Sequence, residues 1–211
     1  MRRYYGRPLD DPPFRCDGYL AGAAIRDDQG AMIQLAELAP FLRALLVTDG
    51  TVTKALEAYF WEPVAVDTLE QRFETAEEPV PWIGLAAGDR CLIRDARLRG
   101  VHSGRIFAEA LSLIRTELIP PDFRRRLIDR EIGIGVLIRD SGLESYREVL
   151  DVGLDHGDDA PGEPPGSAPG PAPGPAGDNE RFVFRTYRIV IGGRPVILIT
   201  ERFPLTLFGG H

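Results

Sequence analysis

Two charged residues stand on strand faces that are otherwise apolar. In the segment PVILITERF, the alternation of side chains places Glu201 on the same face as Ile199 and Phe203. In the segment CLIRDARL, the same alternation places Arg94 on the face of Leu98. A charge on such a face costs several kcal/mol unless it is paired or takes a proton. The pattern therefore requires either a partner or a function for each residue.

Two interpretations of this pattern remain open at the sequence level. In the first, Arg94 and Glu201 form a buried ion pair, or both reach solvent at a strand edge. In the second, they are the two polar ends of a pocket with apolar walls, which is the usual character of a small-molecule site. An arginine fork then binds a carboxylate in a bidentate manner, and the glutamate meets a hydroxyl group at the other end.

The segment VTDGTVTKALEAYF adds a candidate anion site. Asp49 or Thr51 can cap a helix that begins near Val52, and the first amides of such a helix are unpaired and attract anions. Lys54 adds a positive charge in the first turn, where the helix dipole disfavours it. A local conflict of this kind can mark function, although a solvated surface lysine is the alternative.

The segment EIGIGVLI places Ile134 between Gly133 and Gly135, which allows the backbone to approach a ligand closely. A simple turn is the alternative interpretation. The three histidines lie beside no nucleophile or ligand set, and the two cysteines match no metal spacing. We therefore expect neither a metal site nor a histidine-based triad. No dinucleotide fingerprint or phosphate-binding loop is present, and we expect no cofactor.

Composition and charge limit the class of protein. The chain has 211 residues, 44% of them hydrophobic and 27% charged, which is typical of a soluble globular protein. Of the net charge of -7, residues 155–180 contribute six acidic and no Lys or Arg residues, so the rest is close to neutral. We expect no nucleic-acid partner, because no basic face is present, and no membrane association, because no apolar run reaches about 18 residues. We expect a cytoplasmic location, because the N-terminal segment lacks the apolar stretch of a secretory signal.

The order of elements predicts an α+β domain with a largely antiparallel sheet. We expect a domain over residues 31–211, preceded by an N-terminal extension (1–30) and interrupted by a Pro/Gly-rich, disordered insertion at 157–180. The Gly192-Gly193 pair predicts a hairpin between the last two strands. Helices are predicted at 34–47, 51–60, 121–130 and 142–153, and strands at 90–100, 104–115, 181–191 and 195–203.

The segments DGTVTKALEAYF, CLIRDARL, GIGVLIRDSGLESYREVLDVG and FRTYRIVIGGRPVILITERFPLTLF together resemble the chorismate pyruvate-lyases. The resemblance is strongest to the actinobacterial and archaeal branch, which makes 4-hydroxybenzoate, and it extends from about residue 40 to about residue 208. It implies a single α+β domain with a six-stranded antiparallel sheet, helices packed on the sheet, and helical flaps over an internal pocket. It also implies a monomer that eliminates pyruvate from chorismate.

The resemblance assigns roles to individual residues. Arg94 and the backbone amides of Val52 and Ile134 match the positions that hold the ligand carboxylate, and Glu201 matches the glutamate that meets the phenol hydroxyl. Lys54 matches a family lysine. Arg94 and Glu201 are thereby expected to be catalytic. The alternative is a non-catalytic, aromatic-acid-binding domain, because a related fold is the ligand-sensing half of some transcription regulators.

The chain also departs from the family pattern on one strand. Leu111 aligns with a position at which the classical enzymes carry a second arginine. Glu109 and Arg115 share the strand face of Leu111, and we expect them to reshape the enolpyruvyl end of the pocket. The long Pro/Gly-rich insertion is not a feature of the classical enzymes.

Overall fold

A computed structural model describes residues 24–26, 30, 32–129, 133–156 and 180–208. The described strands are β1 (Ala24–Arg26), β2 (Met32–Gln34), β3 (Val64–Thr75), β4 (Arg90–Gly100), β5 (Ile106–Ile114), β6 (Ser145–His156), β7 (Arg181–Ile191) and β8 (Arg194–Pro204). The described α-helices are α1 (Pro40–Val47), α2 (Val52–Phe60), α3 (Pro121–Ile128), α4 (Ile134–Ser141) and α5 (Leu205–Phe208). Three 3-10 turns lie at Leu35–Glu37, Pro81–Ile83 and Thr116–Leu118.

Six of the strands form one antiparallel sheet in the order β3-β4-β5-β8-β7-β6, and β1 pairs with β2 in a separate ladder. The sheet carries helices on one face, so the predicted α+β class with a six-stranded antiparallel sheet is confirmed. The strands that contain CLIRDARL and PVILITERF are β4 and β8, and only β5 lies between them.

Both faces of the sheet are covered, which explains why the central strands are buried almost throughout. On the face that carries Arg94 and Glu201, α1, α2 and α5 pack on one end through a cluster that includes Leu45, Leu56 and Phe203. On the same face, α3 and α4 pack on the other end through a second cluster. The gap between these two helical covers is where the sheet face remains available to a ligand.

The opposite face is covered by the segment between β3 and β4. Trp82 and Ile83, in the 3-10 turn Pro81–Ile83, pack on Cys91, Ile93 and Leu198 of the sheet. In β8, nine consecutive residues from Val196 to Pro204 are buried. A strand with both faces covered shows no alternation of burial, and a charged residue in it has no route to water except through a cavity.

The hairpin between β7 and β8 is confirmed. Gly192 and Gly193 form its two-residue loop with φ values of 57° and 75°. Positive φ at both central positions is the requirement of a type I′ turn, and glycine meets it without steric cost. This turn, together with a bulge between Ile189 and Val190, sets the register in which Arg185 of β7 lies opposite Glu201 of β8.

The prediction of a helix at 142–153 is wrong, because residues 145–153 belong to strand β6. Its Glu, Arg and Leu residues favour a helix locally, but pairing with β7 along its whole length overrides that preference. The register shift between Val149 and Asp151 is a bulge that disturbs the two-residue period in the sequence. Conversely, Ile134 begins helix α4, although the two glycines beside it suggested a turn or a close approach of the backbone to a ligand.

The other helix predictions are confirmed in part or whole. The predicted helix at 34–47 is a 3-10 turn followed by α1, which begins at Pro40, a residue suited to the first helical position. Residues 1–23 and 157–179 lie outside the described residues, so the disordered insertion and the domain boundaries remain predictions. No helix in the described ranges is both long and apolar enough to cross a membrane.

Candidate active site

The five residues singled out from the sequence come together around one cavity. Val52, Lys54, Arg94, Ile134 and Glu201 all line a space of about 220 Å³ between the sheet and the first turns of α2 and α4. The sheet provides the floor and the two helix starts provide part of the roof. This arrangement agrees with the second interpretation of the sequence pattern, in which the charged residues are the polar ends of a pocket.

The floor of the cavity is made by alternate residues of neighbouring strands. Arg94 of β4 pairs with Ser112 of β5, which pairs with Ile199 of β8, and these three share one face. The next row along the strands contains Ala96, Ala110 and Glu201. The side chains between the two charges are therefore small or apolar, which leaves room for a flat ligand.

Arg94 is buried, with 2% of its surface exposed. Its Nε and Nη2 donate hydrogen bonds to Oγ1 of Thr68 on β3, at 3.2 Å and 2.7 Å. These bonds orient the guanidinium towards the β3 side of the cavity.

Glu201 is also buried, and its partners lie on the opposite side, in β7. Oε2 accepts a hydrogen bond from Nε of Arg185 at 2.9 Å, and Oε1 accepts one from the hydroxyl of Tyr187 at 3.1 Å. Arg185 is completely buried. The interpretation of a direct Arg94–Glu201 ion pair is therefore wrong, because the ion-pair partner of Glu201 is Arg185.

Tyr187 is fixed as a donor to Glu201 by its surroundings. Burial raises the pKa of the Tyr187 hydroxyl well above its usual value, and the nearby charge of Glu201 raises it further. The phenol therefore remains protonated at physiological pH. Both oxygens of Glu201 already accept a hydrogen bond, and each retains a further lone pair for a ligand.

Arg94 and Glu201 lie far enough apart to accommodate a ligand between them. Their strands are separated by β5, which amounts to two strand spacings of about 4.8 Å, and the residues are offset by one two-residue step of about 6.8 Å. Their Cα atoms are thus about 12 Å apart. Since one side chain is drawn towards β3 and the other towards β7, the space between them is open.

The roof of the cavity contains the first turns of two helices. Thr51 is the N-cap of α2 and Gly133 is the N-cap of α4, and neither helix has a side-chain cap. The prediction that the side chain of Asp49 or Thr51 caps the helix is therefore wrong, although the helix does begin at Val52. The amides of Val52 and Ile134, each the first residue of a helix, belong to the groups that a helix leaves without an internal partner.

The glycines of the GIG segment bring the two helix starts into contact. A Cβ atom on Gly135 would lie 3.2 Å from Cγ2 of Thr51, which is closer than ordinary van der Waals contact. A Cβ atom on Gly133 would lie 3.4 Å from Cγ2 of Val66. Gly135 therefore allows α4 to pack directly against the N-cap of α2, so that both N-termini reach the same cavity.

Lys54 lies at the rim of the cavity. Its ammonium group forms an ion pair with Oε2 of Glu57 at 2.7 Å, and 65% of its side chain is exposed. The hydrogen bond from Lys54 is the main reason why the pKa of Glu57 is lowered. The position is accessible to a charged ligand that enters, but it is much more exposed than that of Arg94.

Two arginines that the sequence argument missed hold the loop before α2. Nη1 of Arg185 donates to the carbonyl oxygen of Thr48 at 2.8 Å, and Nη1 of Arg147 on β6 donates to the carbonyl oxygen of Asp49. The alternation in RFVFRTYRIVI places Arg185 and Tyr187 on one apolar face. The signal that identified Arg94 and Glu201 was therefore also present in β7.

The residues expected to reshape the enolpyruvyl end lie on the wrong face. Leu111 packs against the core on the opposite side of the sheet, and Glu109 pairs there with Arg202 at 3.0 Å. Arg115 pairs with Glu117 at 3.0 Å. The expectation that Glu109 and Arg115 line the pocket is thus wrong, since alternation directs the even-numbered residues of β5 to the cavity. Within the described ranges, no group of three His, Cys, Asp or Glu side chains could hold a metal ion.

Comparison with known families and sequences gives a consistent result. A model of the family described as "Chorismate pyruvate-lyase Rv2949c-like" matches residues 46–161, which is more than half of the chain. The chain is 31% identical over 167 residues to a chorismate pyruvate-lyase of Mycobacterium leprae, covering 79% of this chain and 75% of that protein. It is 27% identical over 170 residues to one of Mycobacterium tuberculosis, covering 79% and 81%.

Solved structures with a similar fold are more distant in sequence. PhnF from Mycobacterium smegmatis is 13% identical with a TM-score of 0.53, and the match covers 75% of this chain and 65% of that chain. A GntR-family transcriptional regulator from Bacillus cereus is 12% identical with a TM-score of 0.50, covering 70% and 96%. At this level of identity the likeness concerns the fold alone.

Proposed function

The chain belongs to the Rv2949c-like chorismate pyruvate-lyase family, and from that premise we propose that it is a chorismate lyase, which eliminates pyruvate from chorismate and releases 4-hydroxybenzoate. The observation that carries the proposal is the cavity itself, which has Arg94 at one end of its floor and Glu201 at the other. Chorismate has a ring carboxylate and, para to it, a hydroxyl group. The two polar groups of the site match the two ends of this ring.

At the carboxylate end, Arg94 binds the ring carboxylate, together with the amides of Val52 and Ile134. The hydrogen bonds to Thr68 fix the guanidinium before the substrate arrives, which reduces the entropy lost on binding. The two helix N-termini add partial positive charge at the same place. Lys54, at the rim, provides positive charge on the approach path of a dianionic substrate.

At the other end, Glu201 accepts a hydrogen bond from the C4 hydroxyl of chorismate. Arg185 and Tyr187 hold both carboxylate oxygens in place, so the ring is fixed between a cationic and an anionic group. Such positioning selects the conformer in which the C4 hydrogen and the enolpyruvyl ether are arranged for elimination.

The reaction breaks the C4–H bond and the C3–O bond, and the hydrogen is transferred to the methylene carbon of the enolpyruvyl group. Formation of the aromatic ring provides the driving force, so the step requires no cofactor. Because Glu201 is an acceptor of two hydrogen bonds in the resting site, the arrangement favours a concerted hydrogen transfer within the substrate over proton donation by Glu201. The protein then contributes orientation, exclusion of water and preorganised charge.

The alternative function is a domain that binds aromatic acids without turnover. The similarity of the fold to regulator structures raises this possibility, but those chains are too distant in sequence to support a function. Conversion of chorismate to products distinguishes a lyase from a domain that only binds aromatic acids.

We expect purified protein incubated with chorismate to produce 4-hydroxybenzoate and pyruvate in equal amounts, measured by chromatography and by a coupled pyruvate assay. Arg72→Met is a matched control, because Arg72 is exposed at the sheet edge and pairs with Glu70 and Glu74. This variant should react like the wild type, whereas Arg94→Met should lose at least tenfold in kcat/KM. Binding of 4-hydroxybenzoate without any conversion of chorismate would support the non-catalytic domain instead.

A further inference from the structure

Arg147 lies in the wall of the cavity and has no role in the proposed function described above. It projects from edge strand β6, where it pairs in register with Ile189 of β7, a residue that also lines the cavity. Its Nη1 donates to the carbonyl oxygen of Asp49, and its Nε is buried with no hydrogen-bond partner. Arg97 and Arg185 also carry a buried guanidinium nitrogen without a hydrogen-bond partner, so the feature that distinguishes Arg147 is its place in the wall of the cavity.

Arg147 differs from two other cations at the cavity, Lys54 and Arg139, in its ion pairing. Lys54 is paired with Glu57, and Arg139 is paired with Asp140 at 2.8 Å. Among the described residues, no carboxylate lies within ion-pair distance of Arg147, and its bonded partner is a neutral carbonyl group. Arg147 is therefore a cation of the cavity wall that has no carboxylate partner among the described residues.

Arg147 lies near the end of the cavity at which we place the hydroxyl group of the substrate ring. In the sheet order, β4 carries Arg94, β8 carries Glu201, and β6 with Arg147 lies beyond β8 on the side away from Arg94. Arg147 pairs in register with Ile189, two residues from Tyr187, and the Tyr187 hydroxyl binds Glu201. In the pose proposed above, Arg147 therefore lies at the hydroxyl end of the ring, the end that also carries the substituent on the neighbouring ring carbon.

We propose that Arg147 binds a second carboxylate of the substrate, so that the site selects dianionic ring acids whose second carboxylate is carried on the carbon adjacent to the hydroxyl. This inference rests on the proposed function, in which that group is the enolpyruvyl ether. Arginine suits the task, because its planar fork binds a carboxylate through two parallel hydrogen bonds.

A pair of unreactive ligands tests the proposal by direct binding. The first is 4-hydroxy-3-(1-carboxyvinyloxy)benzoate, which carries both carboxylates on a ring that is already aromatic. The second is 4-hydroxy-3-isopropenyloxybenzoate, in which a methyl group replaces the second carboxylate. For the wild type we expect the dianion to bind at least tenfold more tightly than the monoanion by titration calorimetry. In Arg147→Met this preference should fall to less than about threefold, mainly through weaker binding of the dianion.

The ratio of the affinities for the dianion and the monoanion shows whether Arg147 binds the second carboxylate or only stabilises the structure. If Arg147 only anchors the loop before α2, its loss weakens both ligands equally, because both use the Val52 amide, and the proposal is overturned. An unchanged preference would overturn it as well. Arg147→Lys, which retains the charge, should keep part of the preference, and Arg147→Gln replaces the Met variant if that protein does not fold. Arg72→Met, which also removes one positive charge, should behave like the wild type.

The same titrations distinguish failure of this inference from failure of the proposed function. A wild-type protein that binds both ligands equally but converts chorismate would have no subsite at Arg147. A wild-type protein that binds neither ligand and converts no chorismate would overturn the lyase proposal, and this inference with it.

Discussion

Arg185 is completely buried and connects two parts of the site, because it binds Glu201 through Nε and the Thr48 carbonyl through Nη1. Its guanidinium also lies over the ring of Tyr187, with its carbon 4.6 Å from the ring centroid. Removal of one partner from such a pair leaves an uncompensated charge in the protein interior, which costs more than the pair itself contributes.

We therefore expect Arg185→Met to lower the free energy of unfolding by about 3–5 kcal/mol, measured by urea denaturation. The double variant Arg185→Met/Glu201→Leu should be more stable than Arg185→Met alone, because it leaves no isolated charge behind. A loss below about 1 kcal/mol in the single variant would mean that water reaches Glu201 and Arg185 in the free protein.

Asp95 offers a test of the opposite face of the sheet. It lies in register with Leu111, away from the cavity, and its pKa is raised first by burial and then by the charge of Glu109. Since the raised pKa belongs to the folded state, the folded protein prefers the protonated acid. The contribution of Asp95 to the free energy of unfolding is most favourable below the unfolded pKa of about 4. It is lost as the pH rises through the pKa of the folded state.

Asp95→Asn should therefore raise the melting temperature at pH 7 relative to the wild type. The difference should shrink as the pH is lowered towards 4, because the wild-type carboxyl group then takes up a proton. Thermal melts of both proteins at pH 7, 5.5 and 4 give the comparison. A difference that grows at low pH would show that Asp95 has a stabilising partner instead.

Arg94, Arg185 and Glu201 could be found from the sequence by alternation alone, while Arg147 could not. Arg94 and Glu201 are conspicuous because each interrupts an apolar strand face. Arg147 gives no such signal, because β6 is an edge strand whose residues alternate between exposed and half-buried over its first half. Whether its side chain reaches a cavity depends on contacts across the sheet with a loop 98 residues away in sequence.

At the level of elements, the site depends on the contact between the starts of α2 and α4. Gly135 permits this contact, because any larger residue would meet the methyl group of Thr51. The sequence GIG showed that a close approach is possible, but it did not show which part of the chain approaches. The sequence also did not predict the helix α4, because Gly135 in its first turn opposes helix formation locally.

Gly135→Ala should lower the activity without a comparable loss of stability. Alanine favours the helix by up to about 1 kcal/mol over glycine, so the melting temperature should not fall substantially. However, the added Cβ presses on Thr51, and the displacement of the two amides should lower kcat/KM by at least about fivefold, since a small misplacement of binding groups is costly in catalysis.

The rescue variant for this prediction is Gly135→Ala/Thr51→Ser. It removes the Cγ2 methyl that the new Cβ would meet, and it should recover most of the activity. If Gly135→Ala reacts at the wild-type rate, the separation of the helix starts is not important for binding.

Element type was predictable where a local signal and the sheet agree. The β7–β8 hairpin follows from the Gly192-Gly193 pair and two apolar strands. Strand β6, by contrast, has a helix-favouring composition and a bulge, and only its pairing with β7 makes it a strand. The missing information is the partner strand, which is supplied by tertiary structure.

For the whole molecule, the connection between β6 and β7 is unusually long for strands that are adjacent. His156 at the end of β6 is paired in register with Arg181 at the start of β7, so a short loop could connect them. The cost of loop closure changes by only about 0.6 kcal/mol for each doubling of loop length. The fold therefore does not need the 20 residues of 159–178.

Replacement of residues 159–178 by a four-residue Gly/Ser loop should leave the melting temperature within a few degrees and the turnover of chorismate within about threefold. Both are measured on the same preparation. A large loss of activity in a protein that melts normally would show that this segment takes part in the site.

The central claim is that Arg94 and Glu201 recognise opposite ends of one aromatic acid. A site that is built to bind a hydroxyl group rejects analogues without it, because its own buried group then loses a partner at a cost of about 1–3 kcal/mol. A ligand stabilises the folded protein by RT ln(1 + [L]/Kd), so the shift in melting temperature ranks affinities without turnover.

The most direct measurement is a thermal-shift series with benzoate, 3-hydroxybenzoate and 4-hydroxybenzoate at equal concentrations, each compared with the ligand-free protein. We expect the largest shift with 4-hydroxybenzoate in the wild type. In Glu201→Leu the advantage of the 4-hydroxy acid should vanish, while all three acids still bind through Arg94. Equal shifts with benzoate and 4-hydroxybenzoate in the wild type would contradict the account, because Glu201 would then have only its structural pairing with Arg185.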